Sequence, residues 1–179
     1  MAIDRARTAR GAVAGAVAAA VWALQQPLDQ RVFGVRYDET ELLGKLVTRG
    51  PAWPAAGLVL HLVNGAAFGA LYAGVVSPRL PLPSWARGPA AGLGEHLGSW
   101  PLMLVTDRLH PARADMPTLS SNPRAFAQAT WRHLLFGTVL GELERRLNPE
   151  PDDEPPGQEH VVSTNGHGNI EHAMTGRES

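Results

Sequence analysis

Cysteine is absent from the 179 residues, which excludes disulfides, thiolate metal sites and a cysteine nucleophile. A dominant charge is absent too: 16 Lys and Arg stand against 17 Asp and Glu, a net charge of −1. A chain so balanced has no basic field with which to hold a nucleic acid. Lysine is nearly missing, Lys45 being the one example. No nucleophile elbow, phosphate-binding loop or zinc-hydrolase helix occurs either, so the sequence implies no cofactor and no enzyme of those types.

What the chain does have is long uncharged sequence. Its mean hydropathy of −0.12 hides this, because a very polar C-terminal stretch lowers the average. Between Arg10 and Asp29 lie 18 uncharged residues, and between Arg49 and Arg79 lie 29 whose only titratable group is His61. Gly88–Thr106 is interrupted only by Glu95 and His96, and Ala125–Gly141 only by Arg132 and His133. A helix needs about 20 apolar residues to cross a ~30 Å hydrocarbon core. The expectation is therefore four transmembrane helices, near 9–27, 54–77, 87–107 and 124–146, with the polar groups of the last two facing protein or water. Two other readings compete: a cleaved leader ending near Ala18-Ala19-Ala20, and a soluble helical bundle.

Two phrases 72 residues apart bear on the architecture. His61-Leu-Val-Asn-Gly65-Ala-Ala-Phe-Gly69-Ala-Leu71 matches His133-Leu-Leu-Phe-Gly137-Thr-Val-Leu-Gly141-Glu-Leu143. Each sets a histidine and two glycines on one helix stripe. Likewise Arg10-Gly11-x-x-Ala14-Gly15 recurs as Arg87-Gly88-x-x-Ala91-Gly92, which argues against a disposable leader. The chain reads as two tandem two-helix repeats. Glycines four apart let helices approach closely in lipid, and each helix carries such a pair: Gly11/Gly15, Gly65/Gly69, Gly88/Gly92 with Gly94/Gly98, and Gly137/Gly141.

Four crossings place the start of the first helix and the end of the fourth on one side. Seven arginines and lysines flank each side, from Arg5, Arg7 and Arg10 on one to Arg31, Arg36 and Lys45 on the other. The basic N-terminal flank and Arg145-Arg146 place the termini in the cytoplasm. In the first connection Asp38-x-x-Glu41 is a capping box, followed by Leu42, Leu43, Leu46 and Val47 and stopped by Gly50-Pro51. It predicts a short amphipathic interfacial helix. Trp22, Trp53, Trp100 and Trp131 fall toward that side, where indoles favour the headgroup zone. From Asn148 onward the acidic, proline-rich sequence lacks the apolar content to fold and reads as a disordered tail, 148–179.

His61, Glu95, His96 and His133, with Arg132, form the candidate polar cluster. Glu95 and His133 each lie roughly 12–14 Å in from opposite helix ends at ~1.5 Å per residue. A carboxylate there must be neutral or paired, with His133 or Arg132. The cluster reads either as interhelical hydrogen-bonding glue or as a proton- or ion-linked site. No close ligand pair supports a metal. The one place for an enzyme is Asp107-Arg108-Leu109-His110 with Asp115 beyond.

His96-Leu-Gly-Ser99-Trp100-Pro101-Leu102-Met103 resembles the His-x-x-Ser-aromatic-Pro-Leu-Met segment of the YagU-like family of uncharacterised bacterial inner-membrane proteins. The similarity takes in His61, Tyr72, Pro81, Trp85, Ala91-Gly92, His133-Leu134 and Arg145-Arg146-x-Asn148, over residues 55–147. It implies a multi-pass helical protein of the bacterial cytoplasmic membrane with histidines at positions 61, 96 and 133. Glu95 departs from the family pattern. The sequence thus points to an all-α integral membrane four-helix bundle, non-enzymatic and serving envelope or stress physiology, its partners lipid and a further copy or another membrane protein. The alternative is a proton- or ion-coupled transport element, and the third a membrane-embedded enzyme. The protein is expected to stay with membranes through carbonate extraction; release into the soluble fraction would favour the soluble bundle.

Overall fold

Asp4 starts the first helix by accepting the backbone N–H groups of Ala6 and Arg7 at 2.8 and 3.1 Å, two donors that the helix itself leaves unpaired. The computed structural model describes residues 4–149. Helix α1 runs Arg5–Phe33 and stops at Gly34, whose φ of 67° suits glycine. Asp38 caps α2, Glu39–Val47, through the Glu41 N–H at 2.9 Å. Helix α3, Trp53–Leu71, continues through a π turn at Tyr72–Val76 and a 3₁₀ turn at Ser77–Arg79. Then come α4, Ser84–Ser99, and α5, Met103–Leu109. Helix α6, Pro123–Leu147, is capped by Asn122 and opens with proline, which needs no N–H partner at that position. No strand occurs among the described residues.

The second and fourth expected spans appear as helices at nearly the expected bounds, and the first runs Arg5–Phe33 where 9–27 is expected. In the third, Trp100-Pro101-Leu102 forms a 3₁₀ turn that divides it into α4 and α5. Pro101 has no N–H to give to the preceding turn, and its ring crowds that turn. On length and apolar composition two helices qualify to cross a membrane, Arg5–Phe33 and Trp53–Arg79.

The extensive helix interfaces are α1–α3, α4–α6, α1–α6 and α2–α3. Thus α1 and α6 form the central pair, α3 leans on α1, and α4 leans on α6. In the first hairpin a side chain on Gly11 or Gly15 would meet the backbone of Gly69 or Gly65; in the second, one on Gly88 or Gly92 would meet the backbone of Gly137, Gly141 or His133. All eight glycines therefore sit where two helix backbones touch. Gly94 and Gly98 do not, since a Cβ on either would meet nothing. A third such contact, Gly44 against Trp53 and Gly57, fastens α2 to α3.

Much of the interior is small or polar, packed around Trp22, Tyr72, Phe136 and Leu140, while many other large apolar side chains face out. Ala14, Ala18 and Ala19 are fully buried, and so are Arg132 and Gln128. Leu24 and Leu28 on α1, Val59 and Val63 on α3 and Leu97 on α4 are all exposed. At one end Arg7 reaches Glu144 at 2.7 Å and Arg10 donates to Asn148 at 2.6 Å, joining the start of α1 to the end of α6. Asn148, which sequence places first in the tail, is buried and belongs to the helical unit; the rest of that tail, from residue 150, lies outside the described residues.

These contacts predict opposite signs for two kinds of glycine. Gly15→Ala and Gly137→Ala force backbones apart and should each lower stability by about 1–3 kcal/mol. Gly94→Ala removes a flexible residue from a helix into open space and should raise it by about 0.5–1 kcal/mol. Thermal unfolding of the detergent-solubilised protein reads both; equal effects at Gly15 and Gly94 would contradict the packing described.

Candidate functional site

Two polar centres sit side by side along α6, set by two adjacent residues. Neighbouring residues on a helix point about 100° apart, so Arg132 turns toward α1 and His133 toward α4.

Arg132 is fully buried and grips Asp29 of α1 with two hydrogen bonds, Nε to Oδ2 at 2.7 Å and Nη2 to Oδ1 at 2.6 Å. The same carboxylate accepts from Gln25 and Gln128, each at 2.6 Å, so both oxygens are satisfied. The Arg132 Nη2 also donates to the Tyr37 carbonyl at 2.9 Å, and the guanidinium lies 5.0 Å from the centre of the Tyr37 ring. Two buried ions with this many hydrogen bonds can offset much of the cost of leaving water. Arg132 is therefore not part of the histidine cluster expected from sequence. Its partner is Asp29, which closes the first uncharged run.

His133 lies next to a cavity of about 200 Å³. Its Nδ1–H donates to the Ala129 carbonyl at 2.7 Å, and its Nε2 meets Glu95 Oε2 at 2.7 Å. Both ring nitrogens thus face acceptors. A neutral imidazole has one N–H, which Ala129 takes, so the contact with Glu95 requires a second proton between nitrogen and oxygen. That proton makes the pair either imidazolium with carboxylate or imidazole with carboxylic acid; in both forms the pair is net neutral.

The other two histidines are engaged differently. His96 Nε2 lies 3.0 Å from the Thr130 hydroxyl, whose own proton goes to the Phe126 carbonyl at 2.8 Å. His96 is therefore the donor there, and its ring sits 4.8 Å from that of His133. His61 Nε2–H donates to the Ala19 carbonyl at 3.1 Å. Between His61 and His133 stands Trp22, edge-on to both at 5.3 and 4.7 Å. Trp22 is buried.

The cavity lies between α3 and α4, which flank the central pair. Asn64 and Phe68 of α3 line it with Gly92, Glu95, His96 and Ser99 of α4; Trp22 of α1 and Phe136 of α6 form its floor. Tyr37, Glu39 and Trp100 line it as well. Sequence spacing puts Glu95 on the inward face of α4 with Gly88, Gly92 and Ser99; the buried stripe is instead Gly88, Gly92 and His96, and Glu95, about 100° away from His96, keeps 39% of its side chain exposed at the cleft. Tyr37 donates its hydroxyl to Glu39. Burial, reinforced by the Glu39 charge, holds the Tyr37 phenol well above its ordinary range, so it stays an un-ionised donor.

Of the residues that an enzyme could have used, Asp107 and His110 are held by backbone groups, and Asp115 meets Arg49 at 3.4 Å. Asp107 accepts the N–H groups of Leu119 and Ser120 at 2.9 and 2.8 Å. His110 donates from Nε2 to the Leu42 carbonyl at 3.0 Å and accepts the Ala112 N–H on Nδ1 at 3.1 Å. Among the described residues no group of three or more His, Asp or Glu side chains could hold a metal ion. No family model, curated protein or solved structure matches the chain.

Removing one partner of a buried, hydrogen-bonded ion pair strands the other. Asp29→Asn and Arg132→Met should each lower stability by about 3–5 kcal/mol, and the double variant should recover much of that loss. Denaturation of the three variants checks it; additive losses would show that the pair acts as two independent groups.

Proposed function

We propose that this chain is a multi-pass protein of the bacterial cytoplasmic membrane, built as a duplicated helical hairpin, and that it works as a proton-linked transport or channel element. The inside-out burial supports the membrane setting. Exposed Val and Leu side chains on α1, α3 and α4 over a seam of Gly and Ala form the surface that lipid requires, and water disfavours. Arg132 and Glu144 of α6 are buried against other helices, as charged groups of a crossing helix must be. The resemblance to the YagU-like family points the same way. The basic flank at Arg5, Arg7 and Arg10 and the pair Arg145-Arg146 favour a cytoplasmic side for that end of the bundle.

The observation that carries the functional reading is the 2.7 Å contact between Glu95 and His133, which calls for a proton, on the wall of a cavity. Glue needs hydrogen bonds but no cavity; here the proton-holding pair forms part of a cavity wall and Glu95 is reachable from outside. Ionisable groups at membrane depth that border a cavity are the usual parts of a proton relay. The backbone contacts of Asp107 and His110 lend no support to chemistry at the third-helix exit, and the reading proposed is non-enzymatic.

Reconstituted in liposomes with a pH dye inside, the protein should pass protons down an imposed pH gradient. Glu95→Gln and His133→Ala should each bring the flux to the level of empty vesicles. Wild-type protein without flux, or variants that conduct normally, would reverse the conclusion. Loss of thermal stability with flux unchanged would return the pair to the role of packing glue.

A further inference from the structure

Counted along the sequence, the two ends of the bundle carry equal numbers of basic residues; in the fold they differ in how those residues are answered. At the end where α1 begins and α6 stops, Arg7 pairs with Glu144, Arg10 with Asn148, and Arg145 and Arg146 with Glu142. At the opposite end Arg31, Arg36, Arg108, Arg113 and Arg124 are all exposed, and none has a hydrogen bond or ion pair among the described residues. The acids there are engaged elsewhere. Asp29 holds Arg132, Asp38 caps α2, Glu39 accepts from Tyr37 and Glu41 takes Lys45. Asp107 accepts from Leu119 and Ser120, and Asp115 meets Arg49. Five guanidiniums are left to something outside the chain.

Three of the five gather at one turn. Arg31 lies in the last turn of α1, Arg36 follows the Gly34 stop by two residues, and a Cβ on Gly34 would stand 3.8 Å from the Nη1 of Arg124. Arg124 belongs to the first turn of α6, where the helix dipole disfavours a cation, so the helix itself does not stabilise it there. The exposed side chains nearby are large and apolar. Leu28 and Val32 flank Arg31 on α1, and Leu104 and Val105 precede Arg108 on α5. Trp131, exposed as well, follows Arg124 by two turns on the same face of α6. Seven residues at ~1.5 Å each set the two positions roughly 10 Å apart along the helix. The Trp131 N–H donates to Gln25 of α1 at 3.2 Å, so this face is shared by both central helices.

From this unanswered charge and its apolar surround we infer that the end of the bundle around Gly34 binds the headgroup phosphates of anionic phospholipids. Arg31, Arg36 and Arg124 make the principal contacts, and Arg108 and Arg113 add to the field. The inference rests on the membrane setting proposed above. A guanidinium offers two parallel N–H groups to the oxygens of a phosphate, and its aliphatic stem can follow apolar surface to reach them. The acyl chains of the same lipid would lie against Leu28 and Val32, with the Trp131 indole at the boundary between headgroup and hydrocarbon. A soluble phosphate would use the arginines but leave that apolar face bare. A zwitterionic lipid would bring an ammonium among unpaired cations. Charge and surface together select a lipid of net negative charge.

Native mass spectrometry of the delipidated full chain in detergent, mixed with equal amounts of dioleoylphosphatidylglycerol and dioleoylphosphatidylcholine, tests this. The phosphatidylglycerol should be retained about fivefold in preference, and the preference should shrink as salt rises. Substituting Arg31→Gln and Arg124→Gln together should cut it to less than half. Neither side chain bonds within the fold, so thermal stability in detergent should match the wild type. Arg146→Gln, which leaves Glu142 with Arg145, should keep the preference whole. Equal retention of the two lipids, full preference in the double variant, or the same loss in Arg146→Gln would overturn the inference. Glycerol phosphate in large excess should not displace the lipid; displacement would make a soluble anion the occupant and overturn it too. If the chain enters lipid nanodiscs but shows no preference, only this inference falls. If it fails to enter them, the membrane setting falls with it.

Discussion

The bidentate pair between Asp29 and Arg132 fixes the rest of the structure. It ties the far end of α1 to the middle of α6, and the pair Arg7–Glu144 ties the opposite end. Between these two points α1 and α6 have neither freedom to slide nor freedom to rotate. Because His133 comes directly after Arg132, clamping one aims the other: with Arg132 committed to Asp29, His133 is turned toward Glu95. The same clamp presents the Tyr37 segment, through its carbonyl, to the mouth of the cavity. A single buried interaction thus sets helix register, histidine direction and cavity lining together.

The glycine contacts complete this arrangement. They draw α3 onto α1 and α4 onto α6 at backbone distance, so each flanking helix is held by its own hairpin partner. Nothing comparable draws α3 onto α4, and the cavity occupies that interval. The corresponding positions of the two hairpins carry different side chains there. At an offset of 77 residues, Ala18 and Ala19 of α1 correspond to Glu95 and His96 of α4. His61 accordingly finds only a backbone carbonyl at Ala19, whereas His133 finds a carboxylate and a second imidazole. The asymmetry between the halves is what turns a packing seam into a site.

Much of this is legible in the sequence, because helix period and small-residue spacing are local properties. The glycine stripes, the Asp38 cap, the helix bounds and the neighbourhood of His133 and Glu95 all come from spacing alone. Less legible are features that depend on where a stripe leads. Gly11, Gly15, Trp22, Gln26 and Asp29 lie along one buried seam of α1, and extending the glycine stripe by about four turns reaches Asp29. On α6 the same extension reaches Gln128 and Arg132. Read only as the charge that ends an apolar run, Asp29 loses its role as partner, and Arg132 falls in with the histidines beside it. The break at Trp100-Pro101 is signalled by the proline but outweighed by the apolar run around it. Trp22, one of four tryptophans falling on the same side in the sequence, packs edge-on against His61, His133 and Phe136, contacts that span three helices and that no local spacing shows.

The proposed function requires one proton between Glu95 and His133, with the other imidazole nitrogen permanently engaged by Ala129. Nitrogen NMR of selectively labelled histidine, read together with the carboxyl band of Glu95 across pH, measures this directly. His133 Nδ1 should stay protonated throughout, while Nε2 and the Glu95 carboxyl change in step. A bare Nδ1, or a His133 signal that titrates identically in Glu95→Gln, would contradict it.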